Sequence, residues 1–257
     1  MLKLIRRQAL LIPLSLCAAV AGHAHAADLP RADATVVLVH GAFADGSSWD
    51  KVIPLLQDKN IKVVSVQNPL TSLADDVAAT RRVLDAQTGK VVLVGHSWGG
   101  TVITEAGNDD KVKALVYVAA FAPGEGEATG DLGKNLPPPP GIATLQVDKQ
   151  GFASVPEASM IANFAQDLPQ EKVKLMTATQ APIQVKAFGE KVTHAAWRTK
   201  KNYYIVSADD RMIQPDLERA MAQRINAATT VLPGSHVSLL SHPREVADVI
   251  IKAAAQQ

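Results

Sequence analysis

Five residues constrain this chain more than any others. Gly95-His96-Ser97-Trp98-Gly99 stands directly after the β-branched run Val91–Val94 and opens the helical pattern Trp98–Ala106. A serine hydroxyl attacks a carbonyl only when it is exposed, relieved of its proton by a neighbour and aimed. A sharp strand-to-helix turn exposes and aims it, but strains the serine backbone and crowds the residues two before and two after. Glycine at 95 and 99 relieves that crowding, and Gly100 lets the helix lie close to the sheet. The new helix also turns its positive end toward the serine. The motif predicts a strand, a tight turn and a helix, with Ser97 as a nucleophile at the turn.

The rest of the chain supplies the sheet that such a turn needs. Nearly continuous apolar runs recur at Thr35–Val39, Ile61–Val66, Val91–Val94, Ala114–Val118, Tyr203–Ser207 and Thr229–Leu232. Runs of this kind suit strands buried on both faces of a parallel sheet. Between them lie helical patterns: Trp49 to Lys59, Leu73 to Ala86, Trp98–Ala106, Pro215–Ile225 and Pro243–Ala255. The first stripes Val52, Ile53, Leu55 and Leu56, the second Val77, Thr80 and Leu84, and the last opens with Ser241 or His242 as its cap. This alternation predicts an α/β fold, a doubly wound and mostly parallel sheet. One segment breaks the rhythm. Residues 122–200 hold 8 of the 15 prolines and 7 of the 16 glycines, including Pro137–Pro140. No sheet strand is evident there, and helical patterns around Ala158–Phe164 and Gln170–Thr177 are weak. An insertion of that size predicts a lid over the strand ends.

The first 26 residues read as an address. Lys3, Arg6 and Arg7 precede an apolar run from Ala9 to Val20, and Ala24-His25-Ala26 offers small residues for a signal peptidase, predicting cleavage before Ala27. The run is too short to span a membrane and Pro13 interrupts it. No stable membrane anchor is expected after cleavage. The expected location is periplasmic or secreted. Cleavage would leave 23 basic against 25 acidic residues, net −2, and remove the only cysteine, Cys17. That balance argues against a nucleic-acid partner. A disulfide framework or thiolate metal site is excluded, and no metal or organic cofactor is expected. With 47% apolar and 20% charged residues, the 257-residue chain has the composition of one folded domain over 27–257.

The remaining chemistry sits at other strand ends. An oxyanion hole needs two backbone N–H donors; Trp98 provides one, and Ala42 in the turn His40-Gly41-Ala42-Phe43 is the candidate for the other. Of seven histidines, His236 in Pro233-Gly234-Ser235-His236-Val237 follows the last strand and is free to swing toward Ser97, which suits a general base. His40 fits a structural role in its turn, and His242 a helix start. The acid that orients the imidazole should follow the penultimate strand, where Asp209 and Asp210 are adjacent and only one can point inward. Glu125 is the next candidate.

Val36–Gly46, Val91–Thr101, Ser207–Ile213 and Gly234–Val237 together resemble the α/β hydrolases, and more narrowly the methylesterase and hydroxynitrile lyase group with related bacterial esterases. The resemblance covers essentially the whole chain after residue 26. It implies the order nucleophile, acid, base along the chain. It assigns Ser97, Asp210 and His236 as a triad, with Ala42 and Trp98 as backbone oxyanion donors. The lyase members carry a lysine directly after the histidine; here Val237 stands there, which argues against cyanohydrin cleavage. Dehalogenases carry an aspartate where this chain has Ser97. The expected function is an exported serine hydrolase that cleaves a small-molecule carboxylic ester through an acyl-enzyme. Alternatives are another bond on the same triad (C–C, amide, perhydrolysis) and a weakly catalytic ligand-binding protein on this scaffold. Phe43, Phe152, Phe164 and Met176 are candidate pocket residues.

Overall fold

The computed structural model describes residues 34–256, so the expected leader, residues 1–26, and Cys17 lie outside the described residues. Nine strands follow in chain order: β1 (Ala34–Val39), β2 (Val63–Val66), β3 (Lys90–Ser97), β4 (Val112–Ala120), β5 (Gln146–Val147), β6 (Phe152–Ser154), β7 (Ile183–Gln184), β8 (Lys201–Ser207) and β9 (Ala228–Leu232). Six of them form one sheet in the order β2-β1-β3-β4-β8-β9, and every neighbouring pair is parallel. All six apolar runs of the sequence therefore become strands of one sheet.

Helices alternate with these strands: α1 (Val52–Gln57), α2 (Leu73–Asp85), α3 (Trp98–Ala106), α4 (Glu157–Ser159, continued by a π turn at Met160–Phe164), α5 (Gln170–Thr179), α6 (Pro215–Arg224), α7 (Ser238–Ser241) and α8 (Pro243–Ala255). The Trp49 to Lys59 pattern divides into a 3-10 turn at Gly46–Trp49, opened by the Asp45 carboxylate accepting from Ser47 N–H, and α1. Parallel crossovers are right-handed. The chain winds from β1 outward to β2 and then back past β1 to β3, so α1 lies on one face and α2, α3 and α6 on the other. Helix α8 returns to contact α1 and closes the first face. The cap expected for α8 takes a different form. His242 stands at the N-cap without a side-chain bond to the helix, and Ser241 Oγ lies 3.0 Å from its Nδ1.

Two expectations need correction. The edge strands are not buried on both faces: Ala228, Thr229 and Val231 of β9 are exposed, and Val63 to Ser65 of β2 are half-buried. The segment between β4 and β8 does contain strands, because β5, β6 and β7 form a small antiparallel sheet of their own. Pieces of two or three residues are too short to display a period. This excursion buries Ala153, Met160, Phe164 and Ile183 in the same apolar cluster as the main sheet.

Candidate active site

The direction of winding reverses between β1 and β3, and in open parallel sheets ligands sit in the crevice beyond the strand ends at such a switch. β3 ends there at Ser97. Its backbone is in the left-handed half of conformational space, with φ +51° and ψ −120°, a strained arrangement for a residue with a side chain. The glycines around it are required by space. A Cβ on Gly95 would fall 2.5 Å from the Gly99 carbonyl oxygen, and one on Gly99 would fall 2.5 Å from that of Val39. Trp98 is the first residue of α3, so its N–H has no acceptor within the helix. Across the crevice, the loop after β1 brings Ala42 and Phe43 to the same cavity as Ser97 and Trp98.

His40 fastens that loop. Its Nε2 accepts from Asn68 N–H at 2.8 Å, which leaves Nδ1–H to donate to the Gly41 carbonyl at 2.8 Å. The Asn68 amide donates to the His40 carbonyl at 2.9 Å. Burial holds the His40 pKa below the ordinary imidazole value, so the neutral ring required for this bonding is the stable form.

Strands β8 and β9 deliver the other two groups. Asp210 is buried after β8 while Asp209 beside it is exposed. Asp210 Oδ1 accepts from the N–H groups of Met212 (2.6 Å) and Ile213 (2.9 Å). Its Oδ2 lies 2.6 Å from His236 Nδ1, and His236 Nε2 lies 2.9 Å from Ser97 Oγ. A carboxylate only accepts, so the imidazole proton sits on Nδ1 and Nε2 is left to accept from the serine hydroxyl. All three side chains are at least nine-tenths buried. Glu125 is exposed in the turn after β4.

Four further residues organise this chain of hydrogen bonds, and the sequence reading passed over them. His96 Nε2–H donates to the His236 carbonyl at 2.8 Å, and the two rings lie 4.8 Å apart. Burial first, and the neighbouring His236 second, keep His96 well below the ordinary histidine pKa. Asp167 of the excursion accepts from Ser235 N–H at 2.8 Å, beside the imidazole. Asp76 of α2 accepts from the Trp98 indole N–H (2.7 Å) and from Leu70 N–H (2.8 Å). Burial lifts its pKa to about 6, against the downward pull of those two bonds. Glu218 of α6 is buried, accepts from Ser207 N–H at 3.1 Å, and is held well above the usual carboxyl range by burial and then by the charge of Asp210. Its signal was legible: Glu218 shares the apolar face of α6 with Met221 and Ala222.

The cavity over Ser97 encloses about 500 Å³. Phe43 lines it, as expected from the sequence. Phe152 does not, because side chains alternate along a strand and on β6 it is Ala153 that faces the cavity. Met176 lines a separate hollow of about 150 Å³ with Asp45, Lys172 and Leu175. Phe164 is buried with its ring edge-on to His236 at 5.1 Å and to Phe43 at 6.4 Å, so it backs the imidazole without lining the cavity. Leu132, Leu145, Phe188, Met212, Ile213 and Leu217 contribute instead. Among the described residues no three His, Cys, Asp or Glu side chains converge as metal ligands would, and no helix is long and apolar enough to cross a membrane.

A strand-order switch, a strained serine between two glycines and a buried Ser–His–Asp series define a class. Residues 36–249 match the alpha/beta hydrolase family, and the chain belongs to it. It is 24% identical over 248 residues to Methylesterase 8 of Arabidopsis thaliana, covering 85% of this chain and 88% of that protein. Alpha-hydroxynitrile lyase of the same plant is 24% identical over 241 residues, covering 82% of this chain and 93% of the lyase. Among solved structures, a pyrethroid hydrolase from Sphingobium faniae JZ-2 superposes with a TM-score of 0.72 at 22% identity, over 86% of this chain and 97% of that one. The likeness to that structure is one of fold.

Proposed function

We propose that this hydrolase is a serine carboxylesterase acting on uncharged small-molecule esters. The observation that carries the reading is the continuous hydrogen-bonded series Ser97–His236–Asp210, which opens into an apolar cavity. Ser97 Oγ attacks the acyl carbon as His236 Nε2 takes its proton. The N–H groups of Ala42 and Trp98 bind the oxyanion. The imidazolium then protonates the departing alcohol oxygen, leaving an acyl-serine. Water repeats the sequence, giving its proton to His236 and its oxygen to the acyl group, and Ser97 is restored as the acid departs. Asp210 fixes the imidazole tautomer and stabilises the imidazolium. Val237 after the histidine favours hydrolysis over the lyase chemistry of the relative named above.

Turnover of a soluble ester by three variants tests this. Ser97→Ala and Asp210→Asn are each expected to lose roughly 10⁴-fold in kcat with the fold retained, while exposed Asp209→Asn stays near wild type. A Ser97→Ala variant keeping a tenth of the activity would falsify the nucleophile. The leader sequence supports action after export, in the periplasm or outside the cell. Exported protein is then expected to begin at Ala27, and intact mass showing residues 1–26 attached would refute it. The excursion over the cavity is read as its lid.

A further inference from the structure

The cavity's chemistry continues onto the surface. Of the six large apolar side chains exposed among the described residues, four also line the cavity: Leu136 (44% exposed), Ile142 (37%), Val147 (58%) and Val185 (40%). A residue that both lines a cavity and meets solvent stands at its mouth. These four come from separate parts of the excursion, the loop before β5, β5 itself and the residue after β7, yet they converge on one opening. Val147 sits on β5, the edge strand of the small sheet, opposite Ala153, which faces the interior. Large apolar side chains gathered around one opening mark a binding surface, whereas scattered ones do not. Charge is nearly absent from the lining. Besides His236, its one ionisable side chain is Lys134, whose side chain is 65% exposed and lies 3.9 Å from Asp131.

We propose that the substrate is an uncharged ester with an extended apolar substituent, which fills the cavity and runs out across Leu136, Ile142, Val147 and Val185. The proposal rests on the esterase reading and adds the substrate's length and polarity to it. The occupant is the substrate's own chain, because Ser97 and these four side chains line one cavity whose other walls are mostly apolar. An anionic substrate would meet no buried cation, and a short ester would leave the exposed side chains in water.

The test compares kcat/KM for p-nitrophenyl esters from acetate to dodecanoate kept in solution as monomers, and follows the dodecanoate rate across its critical micelle concentration as well. The enzymes are wild type and a combined Leu136→Ser, Val147→Ser, Val185→Ser variant, each checked by thermal melt. In wild type, kcat/KM is expected to rise with chain length by up to about fourfold per methylene. In the variant, the dodecanoate-to-acetate ratio is expected to fall by roughly tenfold or more. Because the altered side chains are exposed, the fold should persist; single substitutions, each lowering the ratio in part, serve if the combination melts early. An unchanged ratio in a folded variant overturns the proposal. So does a rate that rises only above the micelle concentration, which would assign the mouth to an aggregate surface. Acetate turnover and its dependence on Ser97 report the esterase reading separately.

Discussion

Asp76 is a buried carboxyl outside the Ser–His–Asp series that accepts from two donors at once. Its two oxygens hold the indole of Trp98, which follows Ser97, and the backbone of Leu70, whose carbonyl in turn accepts from Gln184 N–H of β7 at 2.8 Å. Burial raises its pKa from the model-peptide value of 3.8 to about 6, with Asp75 and Glu190 adding smaller repulsions. Between those two values the folded chain holds a proton that the unfolded chain has released. Stability from this group is therefore complete below the lower value and is lost as pH rises through the upper one, by about 3 kcal/mol in all. Asp76→Asn removes the titration. Asn offers one acceptor where Asp76 uses two, so a constant penalty is expected, on top of which the difference from wild type should shift in the variant's favour by up to that amount between pH 4 and 7, as read by denaturant midpoints across the range. A pH-independent difference would show that Asp76 does not titrate in that window. The sequence offered only a hint of this. Asp75 and Asp76 look alike in the first turn of α2, and the tertiary partner Trp98 separates the buried acid from the exposed one.

The local elements were largely legible. Val91–Val94, with glycines placed around Ser97, fixes both β3 and the turn, because the steric demand lies within one short stretch of chain. Helices α3 and α8 begin and end where the sequence patterns do. The candidate acid was narrowed to a pair, and burial distinguishes the two: Asp210 turns inward to the N–H groups of Met212 and Ile213. Contacts between distant elements were not legible, since nothing in the order of residues places α4 and its π turn against the loop after β9. That contact is where the excursion meets His236. Phe164 backs the imidazole and Asp167 holds Ser235 N–H. Asp167→Ala removes this bond from an exposed carboxylate, a loss of about 1 kcal/mol or less. It should loosen the histidine loop, lowering kcat by roughly tenfold with KM little changed. Steady-state kinetics on one ester checks this, and a change confined to KM would place Asp167 in substrate binding instead.

At the scale of the whole molecule, the sheet and the excursion share one apolar cluster. Ala153, Met160, Phe164 and Ile183 pack into the same apolar cluster as the central strands, so cutting residues 122–200 back to a short linker would expose core as well as open the cavity. Point changes at the mouth are the cleaner probe of specificity. The sequence placed the excursion correctly between the fourth and fifth long strands but assigned pocket residues poorly. Phe152 and Met176 face elsewhere because β6 and α5 have faces that only their packing reveals. The account as a whole turns on whether Ser97 is an activated nucleophile. Intact-mass and peptide analysis after exposure to a fluorophosphonate probe measures that directly. The account predicts one adduct per chain, on Ser97, absent from a folded Ser97→Ala variant; a folded wild-type protein that takes no adduct, or takes it on another residue, would contradict it.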